Sequence, residues 1–253
     1  MRIDLNSDVG ESFGAYTIGH DAGLMKSITS ANIAAGFHAG DPTVLRDTIR
    51  LAKKSGVAVG AHPGFPDLVG FGRRELNVTP REAEDSVLYQ LAAVAGVASA
   101  EGVRLQHVKP HGAMFNMAVR DGVLADAIAR AVAAFDASLI LFGLPGSQIL
   151  KAGRAAGLRV AAEVFADRAY EPDGRLVSRR KAGAVICDAS LVVARAVRMV
   201  KDGSIVSIDG TVVPLESDTI CLHGDTPGAD DLAAKVRAGL EAAGITVRSI
   251  GLP

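Results

Sequence analysis

Four apolar stretches of this sequence each end in residues that could do chemistry. "ANIAAGFH" ends on His38, "VAVGAH" on His62 and "TICLH" on His223, and "LQHVKPH" carries Lys109 and His111. A single histidine in such a position is most often a hydrogen-bonded loop or core residue. Four of the six histidines lie in equivalent positions, and this repetition indicates one shared site.

Carboxylates, arginines and one asparagine follow the same pattern. The further candidates are Asn6, Asp8, Glu11, Arg73, Glu163, Asp167, Arg168 and Asp225. Side chains on a strand alternate, so residues two apart share a face, which aligns Asp4 and Asn6 with Asp8. Polar side chains on one face of a buried strand cost free energy unless they pair or serve a site. For Asp4 and Asn6 a purely structural polar pair is an equal alternative.

These residue types are compatible with two kinds of hydrolytic site. Histidines and carboxylates without a cysteine cluster could bind a divalent metal ion that activates water. A metal-free site could instead use a carboxylate or histidine as general base and Lys or Arg to hold an anion. The sequence lacks the Gly-x-Ser-x-Gly elbow of serine hydrolases and the Walker pattern of P-loop proteins. No mode of ATP binding can therefore be inferred from it.

Alternating strands and helices must position these side chains. We predict strands at 2–7, 30–37, 57–62, 105–110, 138–143, 159–165 and 219–223, and helices at 42–55, 80–101, 121–135, 147–156, 188–202 and 228–243. Repeated strand–helix units imply a parallel sheet covered on both faces. About seven units in 253 residues favour a seven-stranded, TIM-like α/β barrel, whose site would lie at the carboxyl ends of the strands.

The rest of the sequence limits the domain organisation and the partners. One domain is expected over residues 1–253, with a β-hairpin insertion near 204–218. Asp41 is better explained as a helix cap than as a catalytic acid, and the basic cluster 179–181 is better explained as a solvated face.

A net charge of −1 without a long basic run argues against nucleic-acid or membrane partners. Two cysteines without metal-ligand spacing are typical of a reduced, cytoplasmic protein.

Eight motifs resemble those of one protein family. They are "DLNSDVGE", "SANIAAGFHAGDP", "GAHPGFPD", "FGR", "HVKPHGAMFN", "EVFADRAY", "LVSRR" and "CLHGDTP", and they run in family order from residue 4 to about 227. On these motifs the chain resembles the LamB/YcsF family. Two positions depart from the family pattern. Ala35 stands where cysteine is common, which excludes a nucleophile there, and Phe115 replaces a common tyrosine.

The resemblance implies a barrel of the glycoside hydrolase/deacetylase type and a part in the ATP-dependent 5-oxoprolinase system. That system opens 5-oxo-L-proline to L-glutamate, and its complex binds and consumes ATP. Two further subunits, B and C, would phosphorylate the lactam oxygen, and a chain of this family would hydrolyse the activated ring. An unstrained five-membered lactam resists water, so activation by phosphorylation is chemically reasonable.

The resemblance also suggests roles for the candidate residues. Lys109 and Arg168, with Arg73 third, would hold the anionic groups, in a bidentate manner where arginine is used. The candidates for the general base are Asp8, Glu11 and Asp167. Further substrate contacts are expected from Asn6, Glu163 and Asp225. The histidines that would stabilise the oxyanion or bind a metal are His38, His62, His111 and His223. Deacetylases of the superfamily hold a metal with Asp and His, so the expected divalent metal site is Asp8, His38 and His62.

Two other functions stay open. One is a metal-dependent deacetylase acting on N-acyl or sugar substrates, although "DVGE" carries one acid at the first strand end where deacetylases commonly show two adjacent aspartates. The other is a non-catalytic binding or regulatory barrel. The many charged groups at strand ends argue against this second alternative.

Overall fold

Seven parallel strands close into a barrel in this structure, a computed structural model that describes residues 1–251. The described residues form these seven and three shorter strands outside the barrel: β1 (Arg2–Val9), β2 (Ser30–Ala34), β3 (Ala58–His62), β4 (Leu105–Val108), β5 (Ile140–Gly143), β6 (Arg159–Phe165), β7 (Ser204–Val206), β8 (Val212–Pro214), β9 (Thr219–Leu222) and β10 (Thr246–Val247). Strands β1 to β6 and then β9 are neighbours in that order, and β9 pairs with β1 to close the barrel. The predicted seven-stranded, TIM-like barrel is confirmed.

Helices connect the barrel strands and pack around them. They are α1 (Asp21–Leu24), α2 (Pro42–Ser55), α3 (Pro80–Ala100), α4 (Gly112–Ala118), α5 (Gly122–Phe135), α6 (Gln148–Ala155), α7 (Ala189–Lys201) and α8 (Ala229–Ala242). The Asp41 side chain accepts hydrogen bonds from the backbone N–H groups of Thr43 and Val44, at 2.8 and 2.9 Å, and so caps α2. Thr79 and Glu82 form a capping box at the start of α3. Asp41 therefore acts as the helix cap that the sequence indicates.

Strand β2 is shorter than the sequence predicts, which changes the setting of His38. The prediction of a strand over 30–37 is wrong beyond Ala34, where β2 ends. Gly36 and Gly40 take positive φ angles of 91° and 79°, a conformation that glycine adopts without steric cost. The backbone turns at these glycines, so His38 is presented by a loop and not by the strand end.

Some elements were not predicted, because they are too short to show a hydrophobic period. These are α1, α4 and β10, and β10 pairs in parallel with the start of β1. Strands β7 and β8 form an antiparallel hairpin at the place of the expected insertion. The single domain over residues 1–253 stays a prediction. Within residues 1–251, no helix has the length and apolar character needed to cross a membrane.

Apolar side chains fill the layer between the barrel and the helices, whereas much of the barrel interior is polar. On β1, Ile3 and Leu5 belong to the main hydrophobic cluster. The alternate residues of the same strand, Asp4, Asn6 and Asp8, are buried as well. A small separate apolar cluster consists of Ile140, Phe142 and Ala161. The buried polar residues must therefore satisfy one another by hydrogen bonding.

Candidate active site at the carboxyl end of the barrel

A chain of hydrogen bonds between polar side chains crosses the barrel interior. The Thr219 hydroxyl donates to Asp4 and accepts from Asn6 Nδ2 at 2.6 Å. Asn32 Nδ2 donates to Asn6 Oδ1 at 2.7 Å and to Asp8 Oδ1 at 2.8 Å. The network places Asp4 and Asn6 in a structural role and orients Asp8. Asn6 is not in the lining of the cavity described below, and its expected substrate contact stays a prediction.

Three buried ionisable groups meet where this network ends. Lys109 Nζ lies 2.6 Å from Asp8 Oδ1 and 3.2 Å from Glu163 Oε1. Burial alone would raise the pKa of Asp8, but His62 and Lys109 hold it well below its ordinary value. Burial would lower the pKa of Lys109, but Asp8, Cys221 and Glu163 keep it well above its ordinary value. Asp8 and Lys109 are therefore a buried carboxylate and ammonium at neutral pH.

Of these three buried groups, Glu163 has the fewest polar partners to offset its burial. Apart from the ion pair with Lys109, its two buried carboxyl oxygens have no hydrogen-bond partner among the described residues. Burial raises the pKa of Glu163 to about 7, with Asp8 adding to the shift and Lys109 opposing it. The carboxyl beside Lys109 therefore changes its charge near neutral pH.

Replacing Glu163 with glutamine is expected to stabilise the protein at high pH relative to the wild type. The pKa of Glu163 rises from an ordinary value of 4.5 to about 7 in the folded state. The favourable contribution of its proton is therefore complete below pH 4.5 and is lost as the pH rises through 7, a change of about 3 kcal/mol. Urea unfolding at pH 5 and pH 8 should show this difference growing with pH, with the exposed Glu216→Gln as control. An equal difference at both pH values would contradict the burial of an ionisable Glu163.

Three histidine rings pack beside the Lys109 group. The rings of His38 and His111 stack with centroids 3.7 Å apart, and His62 stands edge-on to both. His62 Nδ1 lies 2.6 Å from the backbone oxygen of Lys109, and His111 Nε2 lies 2.8 Å from that of Phe71. The other nitrogens of this pair, His62 Nε2 and His111 Nδ1, face each other at 2.9 Å. Backbone carbonyls thus fix the orientation of two of the three rings.

Glu11 completes this histidine cluster. Its Oε1 atom lies 3.3 Å from His38 Nε2 and 3.6 Å from His111 Nδ1. Burial raises the pKa of Glu11 well above its ordinary value, and Asp8 and Asp225 add to the shift. Burial also holds the pKa values of His38 and His111 well below the ordinary value. We define the histidine cluster as Glu11, His38, His62 and His111.

Two glycines of the loop after β3 leave space for the stacked rings. A Cβ atom on Gly64 would lie 2.6 Å from His38 Nδ1, and one on Gly72 would lie 2.8 Å from His111 Cδ2. Between them Phe71 has a φ of 54°, which is unusual for a residue with a side chain and marks local strain. This conformation occurs where the Phe71 carbonyl meets His111. The glycines of "PGF" and "FGR" therefore shape the loop around the histidines.

Asp167 and His223 form a second pair, at the ends of the neighbouring strands β6 and β9. His223 Nδ1 lies 2.9 Å from Asp167 Oδ2, and the His223 ring stacks on Phe165. Burial would raise the pKa of Asp167, but the neighbouring His223 holds it below its ordinary value. A histidine held at Nδ1 by a carboxylate presents Nε2 for proton transfer. Because His223 lines the cavity described next, this pair is the best-formed candidate for a general base in the site.

A cavity of about 1020 Å³ opens at this end of the barrel, with His62, Lys109, His111 and His223 in its lining. The other basic residues in the lining are Arg73, Arg74, Arg120, Arg168, Arg175, Arg179 and Arg180, and the acidic ones are Asp8, Glu75 and Glu171. With the lysine and arginines far outnumbering the carboxylates, the cavity is suited to an anionic ligand.

The two arginines expected to hold anions reach the cavity, but protein groups already occupy part of each. Arg168 Nη2 donates to Val177 O at 2.6 Å and Nε to Ala184 O at 3.2 Å. Burial lowers the pKa of Arg168 to about 10. Arg73 Nη2 pairs with Asp225 Oδ2 at 2.7 Å and so joins the loops after β3 and β9. Arg168 thus stabilises the connection after β6, and Arg73 lines the cavity while paired with Asp225.

Some contributors to the site were not predicted. Asn32 orients Asp8, and Cys221 Sγ lies 2.9 Å from Lys109 Nζ. Asn32 could have been found from the polar alternation of Ser30 and Asn32 on β2, but Cys221 gives no such signal because it stands in an apolar run. Arg179 and Arg180 are exposed, as a solvated face predicts, but they also line the cavity. The β6 connection brings these two exposed arginines to the cavity, and local sequence does not reveal its course.

The expected metal set of Asp8, His38 and His62 stays a prediction, and the structure shows a competing cation beside it. His38 and His62 lie in the histidine cluster, whose ligand atoms are all within 4.8 Å of one another. Asp8 Oδ2 lies 3.4 Å from His62 Nε2, but Asp8 Oδ1 lies 2.6 Å from the Lys109 ammonium, a cation that competes with any metal for that carboxylate. The structure also offers a second set, in which Glu11 and His111 accompany His38 and His62.

Comparison with known proteins adds relatives over nearly the whole chain. Two proteins named as the A subunit of 5-oxoprolinase are similar to it. That of Chloroflexus aggregans is 58% identical over 98% of this chain and 99% of its own length, and that of Thermococcus onnurineus is 55% identical over 99% and 98%. The crystal structure of the lactam utilization protein from Thermus thermophilus superposes with a TM-score of 0.93 at 49% identity, over 98% of this chain and 99% of that one.

A more distant likeness concerns the fold alone. The structure of the T48 deacetylase with substrate matches with a TM-score of 0.51 at 15% identity, over 98% of this chain and 88% of that one. The family profile described as LamB/YcsF family matches residues 3–252. That match, together with identities above one half to full-length relatives, shows that the chain belongs to the LamB/YcsF family.

Proposed function

We propose that this chain hydrolyses the ring of phosphorylated 5-oxoproline and so yields glutamate, as the A subunit of an ATP-dependent 5-oxoprolinase. The names of the relatives support the substrate. The observation that carries the chemistry is the Asp167–His223 pair beside an arginine-rich cavity. His223 and the mostly buried Lys109 both line this cavity. A general base, a fixed cation and an anion-binding rim are what hydrolysis of an activated anionic lactam requires.

The lining of the cavity matches the charges of this substrate. Phosphorylated 5-oxoproline carries a carboxylate and a phosphate, and arginine binds both groups with paired N–H donors. Arg175, Arg179 and Arg180 are exposed on the connection after β6 and would hold the phosphate. Arg73, already joined to Asp225, would hold the carboxylate at the opposite loop.

Water attack and ring opening follow from two groups in the lining. As the water oxygen adds to the activated carbon of the ring C=N bond, His223 Nε2 takes one proton from the water and passes it to the ring nitrogen. His223 then takes the proton of the new hydroxyl group, and Lys109, held between Asp8 and Glu163, stabilises the resulting oxyanion. The carbonyl forms from this oxyanion as the ring C–N bond breaks, and the leaving nitrogen accepts the second proton from His223. A second water cleaves the resulting acyl phosphate, giving glutamate and inorganic phosphate.

ATP and the partner chains belong to the activation step. The sequence carries no Walker pattern, and the relatives are named as one subunit of a larger enzyme. We assign binding and consumption of ATP to subunits B and C, which deliver the phosphorylated lactam to this chain in the cytoplasm. The arginine-rich cavity then receives the phosphate and not the nucleotide.

Reconstitution tests this function. Subunits B and C, ATP and 5-oxoproline are combined with and without this chain, and glutamate is measured together with ATP hydrolysis. We expect steady glutamate formation only when the chain is present, because B and C alone activate the ring without opening it. Glutamate formed at the same rate without the chain would contradict the proposal.

The two alternatives predict different results in comparable assays. A deacetylase would release acetate from acetylated sugars without ATP or partners, and only its fold is supported by the T48 likeness. A non-catalytic subunit would leave glutamate formation unchanged when His223 is replaced, provided that the variant still binds B and C. Loss of glutamate formation in His223→Gln would exclude this second alternative.

A further inference from the structure

The histidine cluster contains an arrangement of nitrogen atoms that needs a cation. His62 Nδ1 lies 2.6 Å from a backbone carbonyl and His111 Nε2 lies 2.8 Å from another, so both of these nitrogens carry hydrogen. In neutral rings the remaining nitrogens are bare lone pairs. Those nitrogens face each other at 2.9 Å. Two lone pairs at this distance repel unless a proton or a metal ion lies between them.

We propose that Glu11, His38, His62 and His111 form a binding site for one divalent transition-metal ion, with zinc as the preferred ion. Three imidazole nitrogens and one carboxylate oxygen are ligands that suit zinc. The metal ion takes the place between the lone pairs of His62 and His111. This site uses Glu11 and His111, whereas Asp8 pairs with Lys109 through Oδ1 and has its Oδ2 atom 3.4 Å from His62 Nε2.

The spacing of the ligand atoms supports a metal ion over a single proton. Ligand atoms about 2.0–2.1 Å from a tetrahedral zinc ion are about 3.3 Å apart. The contacts in the cluster are 2.9 Å between His62 and His111, 3.3 Å between His38 and Glu11, and 3.6 Å between His111 and Glu11. One shared proton accounts for the first distance alone, whereas one metal ion accounts for all three.

The surroundings of the cluster are those of metal-binding histidines. Such histidines commonly donate their second N–H to a backbone carbonyl or a carboxylate, which fixes the ring and its tautomer. His62 and His111 both do so. The Glu11 carboxyl group is buried against His38 and His111, so its oxygen atoms face the histidine nitrogens and not solvent. His38 Nδ1 has no partner among the described residues, so His38 is the least firmly oriented ligand.

The histidine cluster borders the cavity, so a metal ion bound in the cluster would lie beside the cavity. His62 and His111 belong to the cavity lining. A metal ion held there would supply a Lewis acid for a substrate oxygen or lower the pKa of a bound water. Metal binding itself does not depend on the proposed oxoprolinase function and is measured without substrate.

Metal titration of the isolated chain tests the proposal. The full-length protein is stripped with a chelator and titrated with Co²⁺, whose visible absorption reports tetrahedral ligation, and then with Zn²⁺. We expect one Co²⁺ per chain, displacement by Zn²⁺, and a higher melting temperature with metal. Metal affinity should fall at least about 100-fold in His62→Gln and His111→Gln. Removing a metal ligand weakens binding more than removing a residue that only hydrogen-bonds to a ligand.

Two further variants keep the test decisive. The exposed His20 lies outside the cluster, so His20→Gln should bind metal like the wild type. Glu11→Gln keeps the shape of the side chain and serves if a histidine variant fails to fold, as judged by circular dichroism. A stripped wild type that binds no metal, or folded cluster variants that bind it unchanged, would overturn the site.

Discussion

Replacing Lys109 with methionine is expected to lower the rate of glutamate formation about 10³-fold and the free energy of unfolding by about 3–5 kcal/mol. The rate falls because the cation that stabilises the developing oxyanion is lost, and a single such donor is worth about 10²–10³-fold. The stability falls because Asp8 and Glu163, both within 3.2 Å of Lys109 Nζ, become buried carboxylates without their partner. Steady-state assays with B and C and urea unfolding measure the two effects.

A second substitution separates the two effects of Lys109. Asp8→Asn in the Lys109→Met background removes one of the unpaired charges, so stability should recover in part while activity stays low. The exposed Lys151, changed to methionine, is the matched control and should affect neither property. Activity within tenfold of the wild type in Lys109→Met would show that Lys109 is structural only.

Replacing His223 with glutamine is expected to lower kcat by about 10²–10⁴, the usual contribution of a general acid–base group. Asp167→Asn should lower kcat as well, because Asp167 holds His223 Nδ1 at 2.9 Å and thereby sets which nitrogen accepts the proton. Since the two residues act as one unit, the double variant should lose little more than His223→Gln alone. The readout is kcat and its pH profile under saturating 5-oxoproline.

The control for this pair is His20→Gln, which changes an exposed histidine outside the site. Its kcat and pH profile should match those of the wild type. Fully additive losses in Asp167→Asn and His223→Gln would mean that the residues act separately. A kcat for His223→Gln close to the wild type would remove His223 from the mechanism.

Much of the fold could be predicted because its signals are local. Strand β6 and helix α2 have the predicted limits, since apolar runs, an N-cap acid and a proline mark them. The predicted end of β2 was wrong because the apolar run in the sequence continues past the true end of the strand. The positive φ angles of Gly36 and Gly40 turn the backbone there. His38 therefore lies beside the expected residues, but a loop positions it and not the end of a strand.

Which residues belong to the candidate site could be predicted better than which of their side chains contact each other. Strand ends converge in any parallel barrel, so the histidines and Lys109 were expected together. Which side chain pairs with which depends on distances of about 1 Å between different strands. Asp8 therefore lies closer to Lys109, at 2.6 Å, than to His62, at 3.4 Å, and Glu11 lies beside His38 and His111. Arg179 could not be placed because the course of the long β6 connection is a tertiary property.

The most direct test of the proposed chemistry separates ring activation from ring opening. In a double-mixing experiment, subunits B and C first react with ATP and 5-oxoproline, the remaining ATP is removed with hexokinase and glucose, and this chain is then added. We predict a burst of glutamate no larger than the amount of activated lactam, seen with the wild type and absent with His223→Gln. A burst of equal size and rate without the chain, or with His223→Gln, would contradict the assignment of ring hydrolysis to this protein.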